Sequence, residues 1–237
     1  MTQPFRTGSK TFASTICPGM AMSLAADRLV IETEKPFYVL SSAVYGGGYG
    51  TADRFVNREV PLDYDCSDPA RDYERMLALW GYSPETTIGF LTAAKLTHAS
   101  VAETAGEAFG LLCCATAGTG NAARAGRARE TFPAYAPGTI NLFVLVDGSM
   151  TASAMVNAVI TATEAKSAAL HDCGILDQKH GLPATGTTTD AIAIGASQTG
   201  RHGRTHRYAG AATALGDAIG RLVYGTVEEA VRTQGEA

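Results

Sequence analysis

Gly138-Thr139-Ile140-Asn141-Leu142-Phe143-Val144-Leu145-Val146 is followed, after a short turn, by the alanine-rich run Thr151 to His171. The first stretch, from Thr139 to Val146, is apolar almost throughout and bounded by turn residues, which is the pattern of a strand covered on both faces. The second predicts a long helix, with Ser149 or Thr151 able to cap its start and Gly174 just past its end. Its alanines suit close packing on a sheet. Working outward, Thr87–Thr92, Ala108–Thr116 and Thr189–Ile194 read as further strands, and 211–233 as a closing helix. Asp72–Trp80 reads as a short amphipathic helix, with Met76, Leu77 and Trp80 on one side and Gly81 as its stop. Arg28–Glu34 and Phe37–Ser42, separated by Lys35-Pro36, predict a hairpin or two successive strands, and Ala52–Asp72 reads as polar and irregular. The expected fold is α+β (α/β): a mixed β-sheet core packed against two long helices. No repeat or linker divides it, so one domain is expected over residues 1–237.

A chain of 237 residues, 46% hydrophobic and 18% charged, can bury a sizeable core without staples. A formal net charge of -4 argues against a polyanionic partner, so no nucleic acid is expected. Cys17, Cys66, Cys113, Cys114 and Cys173 form an odd set without Cys-x-x-Cys spacing, which predicts reduced thiols. The amino-terminal residues lack a long apolar core, and no apolar run reaches the roughly 18 residues of a membrane span. A cytoplasmic protein with no membrane partner is expected; the sequence leaves a homo-oligomer open. His202 and His206 have zinc-ligand spacing only within a glycine-containing loop, so no metal is expected. The run Arg201–Arg207 reads as a solvated basic loop, and no phosphate loop with Gly-Lys-Ser or Gly-Lys-Thr occurs.

The polar residues that could carry chemistry lie at the ends of the apolar runs, where open α/β sheets collect their sites. Ala117-Gly118-Thr119-Gly120-Asn121-Ala122 ends one predicted strand, and Asn141 stands at the start of the next. The two carboxamides could therefore face one end of the sheet, where they could hold an oxyanion or simply satisfy turn backbone. Glu164 and Lys166 lie two apart on the long helix and so point in different directions. Glu164, on a helix otherwise small and apolar, is expected to be the one facing a site as acid or base. Asp190 closes Gly186-Thr187-Thr188-Thr189 and opens a strand, as a base, an orienting group or a turn aspartate. Thr139, Thr187 or Thr188 could supply a nucleophilic hydroxyl given a nearby base. Gly46-Gly47-Gly48 permits close backbone approach, to a ligand or to another loop.

Ser41-Ser42 with Gly46-Gly47-Gly48, Ala117–Ala122, Gly138–Asn141, Thr163-Glu164-Ala165-Lys166, Gly186–Asp190 and Tyr208-Ala209-Gly210 before Leu215-Gly216 together resemble the adenosylcobinamide amidohydrolase family. The resemblance spans about Val39 to Val231. It implies hydrolysis of the amide joining the aminopropanol arm to the corrin ring, giving adenosylcobyric acid and aminopropanol in corrinoid salvage. The corrinoid would be substrate, and no cofactor is implied. In that reading Glu164 or Asp190 activates the attacking group, Asn121 and Asn141 hold the oxyanion or orient the scissile amide, and Lys166 stabilises charge or protonates the amine. Ser42, Gly46, Gly47, Gly48, Gly118, Thr139, Thr187 and Thr188 would contact substrate. The chain departs from the family pattern at Ala211-Ala212-Thr213, where a histidine before the threonine is common, and at Thr188, where glycine is common. A non-catalytic corrinoid-binding protein and a paralogue hydrolysing a different amide are the alternatives.

Overall fold

The computed structural model describes residues 2–65, 67–129 and 138–236, so Cys66 lies outside the described residues. One curled, mixed, nine-stranded sheet forms the centre. Its strands are β1 (Thr11–Ala13), β2 (Met20–Leu24), β3 (Arg28–Ser41), β4 (Gly48–Glu59) and β5 (Thr87–Thr92), then β6 (Ser100–Gly106), β7 (Phe109–Ala117), β8 (Ile140–Asp147) and β9 (Ala191–Ala196). The helices are α1 (Pro69–Trp80), α2 (Ala152–Asp172) and α3 (Ala214–Thr233). The α+β reading holds, with α1 as a third, shorter helix beside the two long ones. Each start is capped as its sequence allows: Asp68, Thr151 and Thr213 accept from the N–H groups of Arg71, Ala154 and Gly216.

The curl originates in β3, which continues without interruption through Lys35-Pro36 where a break was expected. Its register against β4 shifts between Glu32 and Phe37, a bulge that accommodates a proline without a ladder N–H. One edge of β3 stays with β4 on both sides of the bulge. The other edge pairs with β2 before it and with β9 after it, so a single bent strand hands the sheet from one set of neighbours to another. From β9 the sheet continues through β8, parallel to β9, and then through antiparallel β7 and β6.

The apolar runs of β7 and β8 have no polar alternation because both their faces are covered. Leu111, Cys113, Ile140, Leu142 and Val144 face α2 and α3 in one core, with Ala158, Ala162, Ile219 and Val223 packed over them. Leu112, Cys114, Phe143 and Leu145 turn the other way, into the hollow of the curl, against Met22, Ile31, Val39, Phe55 and Phe90. There Phe90 of β5 stacks on Phe143 of β8 with ring centroids 4.6 Å apart, which holds the end of β5 beside the start of β8. α1 buries Tyr73 and Leu77 against Val30 and Val56. No described helix is long and apolar enough to cross a membrane.

Candidate active site

The starts of the parallel strands β8 and β9 meet the ends of β3, β4 and β5 around a cavity of about 450 Å³. Val44, Val60, Pro61, Leu62, Phe90 and Leu91 make its apolar wall, while Ser42, Thr139, Asn141, Thr189 and Asp190 make a polar floor. Strand and turn polarity explain the split: side chains just beyond a strand's buried core have unpaired backbone beside them and select short polar groups.

Asp190 precedes β9 and is the only carboxylate among the described residues that line the cavity. Its Oδ1 accepts from Ile140 N at 3.1 Å and from the Thr187 hydroxyl; its Oδ2 accepts from Thr187 N at 3.1 Å and from Lys166 Nζ. These donors occupy the ordinary lone-pair directions of both oxygens. Lys166 reaches it from α2 with its side chain 10% exposed. Glu164 corrects the expectation for this helix: it stands exposed, and Lys166, two residues on, is the side chain turned inward. Small neighbours on both sides made the inward face of α2 ambiguous in the sequence.

Asn121 and Asn141 are indeed brought to the same end of the sheet, where Gly118 N donates to Thr139 O at 2.9 Å. Their bonding differs from that of free oxyanion donors. Asn141 Nδ2 already donates to Asn57 Oδ1 at 2.8 Å and to Leu91 O at 2.9 Å. Asn121 Nδ2 donates to Thr188 Oγ1 at 2.7 Å, while its buried Oδ1 has no donor. Gly138, at φ +148°, passes so close that a Cβ there would lie 2.5 Å from Asn121 Oδ1 and 2.8 Å from Gly118 O.

Ser42 lines the cavity, and its Oγ accepts from Ile192 N at 3.0 Å, which leaves its own proton free to donate. Gly46, Gly47 and Gly48 do not line it. A Cβ at Gly46 or Gly47 would collide with Thr87 O or Ala43 O, so their close approach is to the chain itself. Thr139 lines the floor, Thr187 lies behind Asp190, and Thr188 is exposed. The sequence reading missed Asn57, wholly buried on β4, and Tyr64 on the wall. A carboxamide inside Phe55-Val56-Asn57 was the available signal once the segment is read as a strand. Among the described residues, no group of three or more His, Cys, Asp or Glu side chains is arranged to hold a metal ion.

An adenosylcobinamide amidohydrolase of Methanosarcina mazei is 28% identical over 196 residues, 80% of this chain and 88% of that protein. An uncharacterised protein of Methanocaldococcus jannaschii is 29% identical over 226 residues, 87% of this chain and 86% of its own length. The family described as adenosylcobinamide amidohydrolase matches residues 17–237, and the chain belongs to that family.

Proposed function

We propose that the protein hydrolyses the amide joining the aminopropanol arm of adenosylcobinamide to its corrin ring, releasing adenosylcobyric acid and aminopropanol. Family membership supports the substrate, and the observation that carries the chemistry is the position of Asp190. Among the described residues it is the one carboxylate lining the cavity, held there by Lys166 and Thr187. An open cavity of this size takes the arm and its amide, with the broad, amide-fringed ring resting across the mouth.

In the proposed reaction a water on the cavity side attacks the amide carbonyl carbon as Asp190 takes one of its protons. This requires Thr187 to yield its place on Oδ1. Ser42 donates to the carbonyl oxygen as negative charge develops there. The carbon–nitrogen bond then breaks, and Asp190 returns the proton to the departing amine nitrogen. Lys166 acts on Oδ2 throughout, holding the carboxylate in place. A second reading is favoured by the Thr187 hydroxyl already donating to Asp190: turned from behind Asp190 toward the cavity, Thr187 passes its proton to that carboxylate and attacks the carbonyl, the amine leaves with the proton, and water later hydrolyses the ester on Thr187.

The test is incubation of the purified protein with adenosylcobinamide, following both products by mass spectrometry, with Asp190→Asn alongside. Product from wild type and a loss of roughly 10²–10⁴-fold in the variant are expected. Corrinoid binding without product would leave a binding protein, and turnover only of other amides would make it a paralogue. A covalent corrinoid adduct on Thr187 would select the second reading.

A further inference from the structure

The hydrogen-bond polarity of the cavity floor follows from one backbone carbonyl. Leu91 O can only accept, so the Asn141 side-chain atom 2.9 Å from it is the amide nitrogen. The same nitrogen lies 2.8 Å from the Asn57 carboxamide, so Asn57 presents its oxygen there. The Asn57 nitrogen then faces Thr116 Oγ1, at 2.8 Å. Asn57 is fully buried and does not line the cavity. Its orientation and that of Asn141 lock each other.

Both Asn141 hydrogens are thereby directed into the protein, which leaves Oδ1 on the other side of the carboxamide. Its neighbour there is Thr139 Oγ1, at 3.3 Å. That hydroxyl has a single proton, and it lies closer to Thr189 O, at 2.9 Å. Asn141 Oδ1 is therefore an acceptor with unfilled capacity, on a residue that is 1% exposed yet lines the cavity. Such an acceptor penalises any ligand that fails to offer it a donor.

We infer that Asn141 is a specificity-determining acceptor that takes the N–H of the scissile amide, and that Asn57 is the positioning residue holding it in that sense. This deepens the amidohydrolase reading and rests on it. Ser42 and Asn141 would bracket the amide, one donating to its oxygen and the other accepting from its nitrogen. Of the two roles expected for Asn141, the inference keeps orientation of the scissile amide and drops the oxyanion role, since a carboxamide with both hydrogens engaged cannot donate to a new negative charge. It also gives the site a means of preferring an amide over the corresponding ester, whose bridging oxygen would face Oδ1 lone pair to lone pair.

Two measurements test it. In the free protein, the side-chain NH₂ of Asn141 should exchange slowly with deuterium and keep its nitrogen shift when corrinoid is added. Rapid exchange would place the NH₂ toward the cavity and overturn the polarity. The second measurement compares KM for adenosylcobinamide with KM for the same corrinoid carrying oxygen in place of the scissile N–H. Wild type should show KM on the order of 10–100-fold higher for the ester, the range expected for one buried acceptor left unpaired. Asn141→Leu and Asn57→Leu should narrow that ratio, and Asn57→Asp, which still accepts from Asn141, should restore it. Equal KM values in wild type would overturn the inference while leaving the amidohydrolase reading intact. Turnover of neither compound would refute that reading, and exchange would then decide the polarity alone.

Discussion

The ammonium of Lys166 and the carboxylate of Asp190 meet beside Gly186, at a point where any side chain would overlap Asp190 Oδ2 and lie 2.8 Å from Lys166 Nζ. A glycine at this position is therefore part of the ion pair: it lets the 186–190 turn fold close enough to α2 for the charges to touch.

The pair's burial sets the size of the first expected effect. The two side chains are 10% and 17% exposed, so Lys166→Met leaves a largely buried carboxylate without its cation. That should destabilise the fold by about 3–5 kcal/mol, read from urea unfolding. Gly186→Ala should reproduce much of the loss with both charges still present, because the methyl must push them apart. Full stability in Gly186→Ala would show that the turn can move aside and that the contact does not hold the site together.

Glu164 and Asp190 separate cleanly by placement. Glu164 is exposed on α2, so Glu164→Gln should keep kcat and KM within about twofold of wild type and leave stability within about 0.5 kcal/mol. Asp190→Asn should lose turnover, as set out above. A large loss of kcat in Glu164→Gln would restore the carboxylate that the sequence favoured and remove Asp190 from the central position.

Much of this arrangement is legible in the sequence, for identifiable physical reasons. β7, β8 and α2 were legible because their patterns are extreme: unbroken apolar runs and a capped alanine-rich helix. The ends of β7, β8 and β9 carried Asn121, Thr139, Asn141 and Asp190, so the candidate site followed from the strands. β4 was not legible because Gly48-Tyr49-Gly50 opens it and Arg54 and Arg58 interrupt its apolar residues. Asn57 was lost with it. The face of α2 was also hidden, since alanine and threonine pack inward or outward equally well, and only tertiary contact decides between Glu164 and Lys166.

The cysteines give a prediction independent of the site. Burial pushes the Cys17 thiol up to about 11 and Cys114 up to about 12, and Cys113 higher still. Thiolate is the reactive form, so all three should resist iodoacetamide at pH 8 in the native protein and label fully in denaturant. Cys173 is only partly buried and should label ahead of them. Peptide mapping by mass spectrometry reads each position separately. Rapid native labelling of Cys113 or Cys114 would mean that the contact between β7 and its two cores opens readily.

Asp177 ties the 177–180 turn to the segment that follows Asn121, and its titration should show in acid stability. It is completely buried and accepts from the N–H of Arg124, just after Ala122–Ala123, the short strand that pairs with Gly186–Thr187. Burial alone pushes its carboxyl up. His180, the N–H groups of Arg124 and Lys179, and the Arg129 guanidinium outweigh that and hold it well below the usual carboxylate range. A carboxyl lowered on folding stabilises the native state above its unfolded value, near 3.9, and that contribution fades as pH falls toward the folded value. Wild type should therefore be more stable than Asp177→Asn at pH 7, with the gap constant down to about pH 5 and narrowing below about pH 4. Urea midpoints for both proteins between pH 7 and pH 3 measure it. A gap that stays constant through pH 3 would mean that the charge of Asp177 contributes nothing, and that hydrogen-bond geometry alone joins these segments.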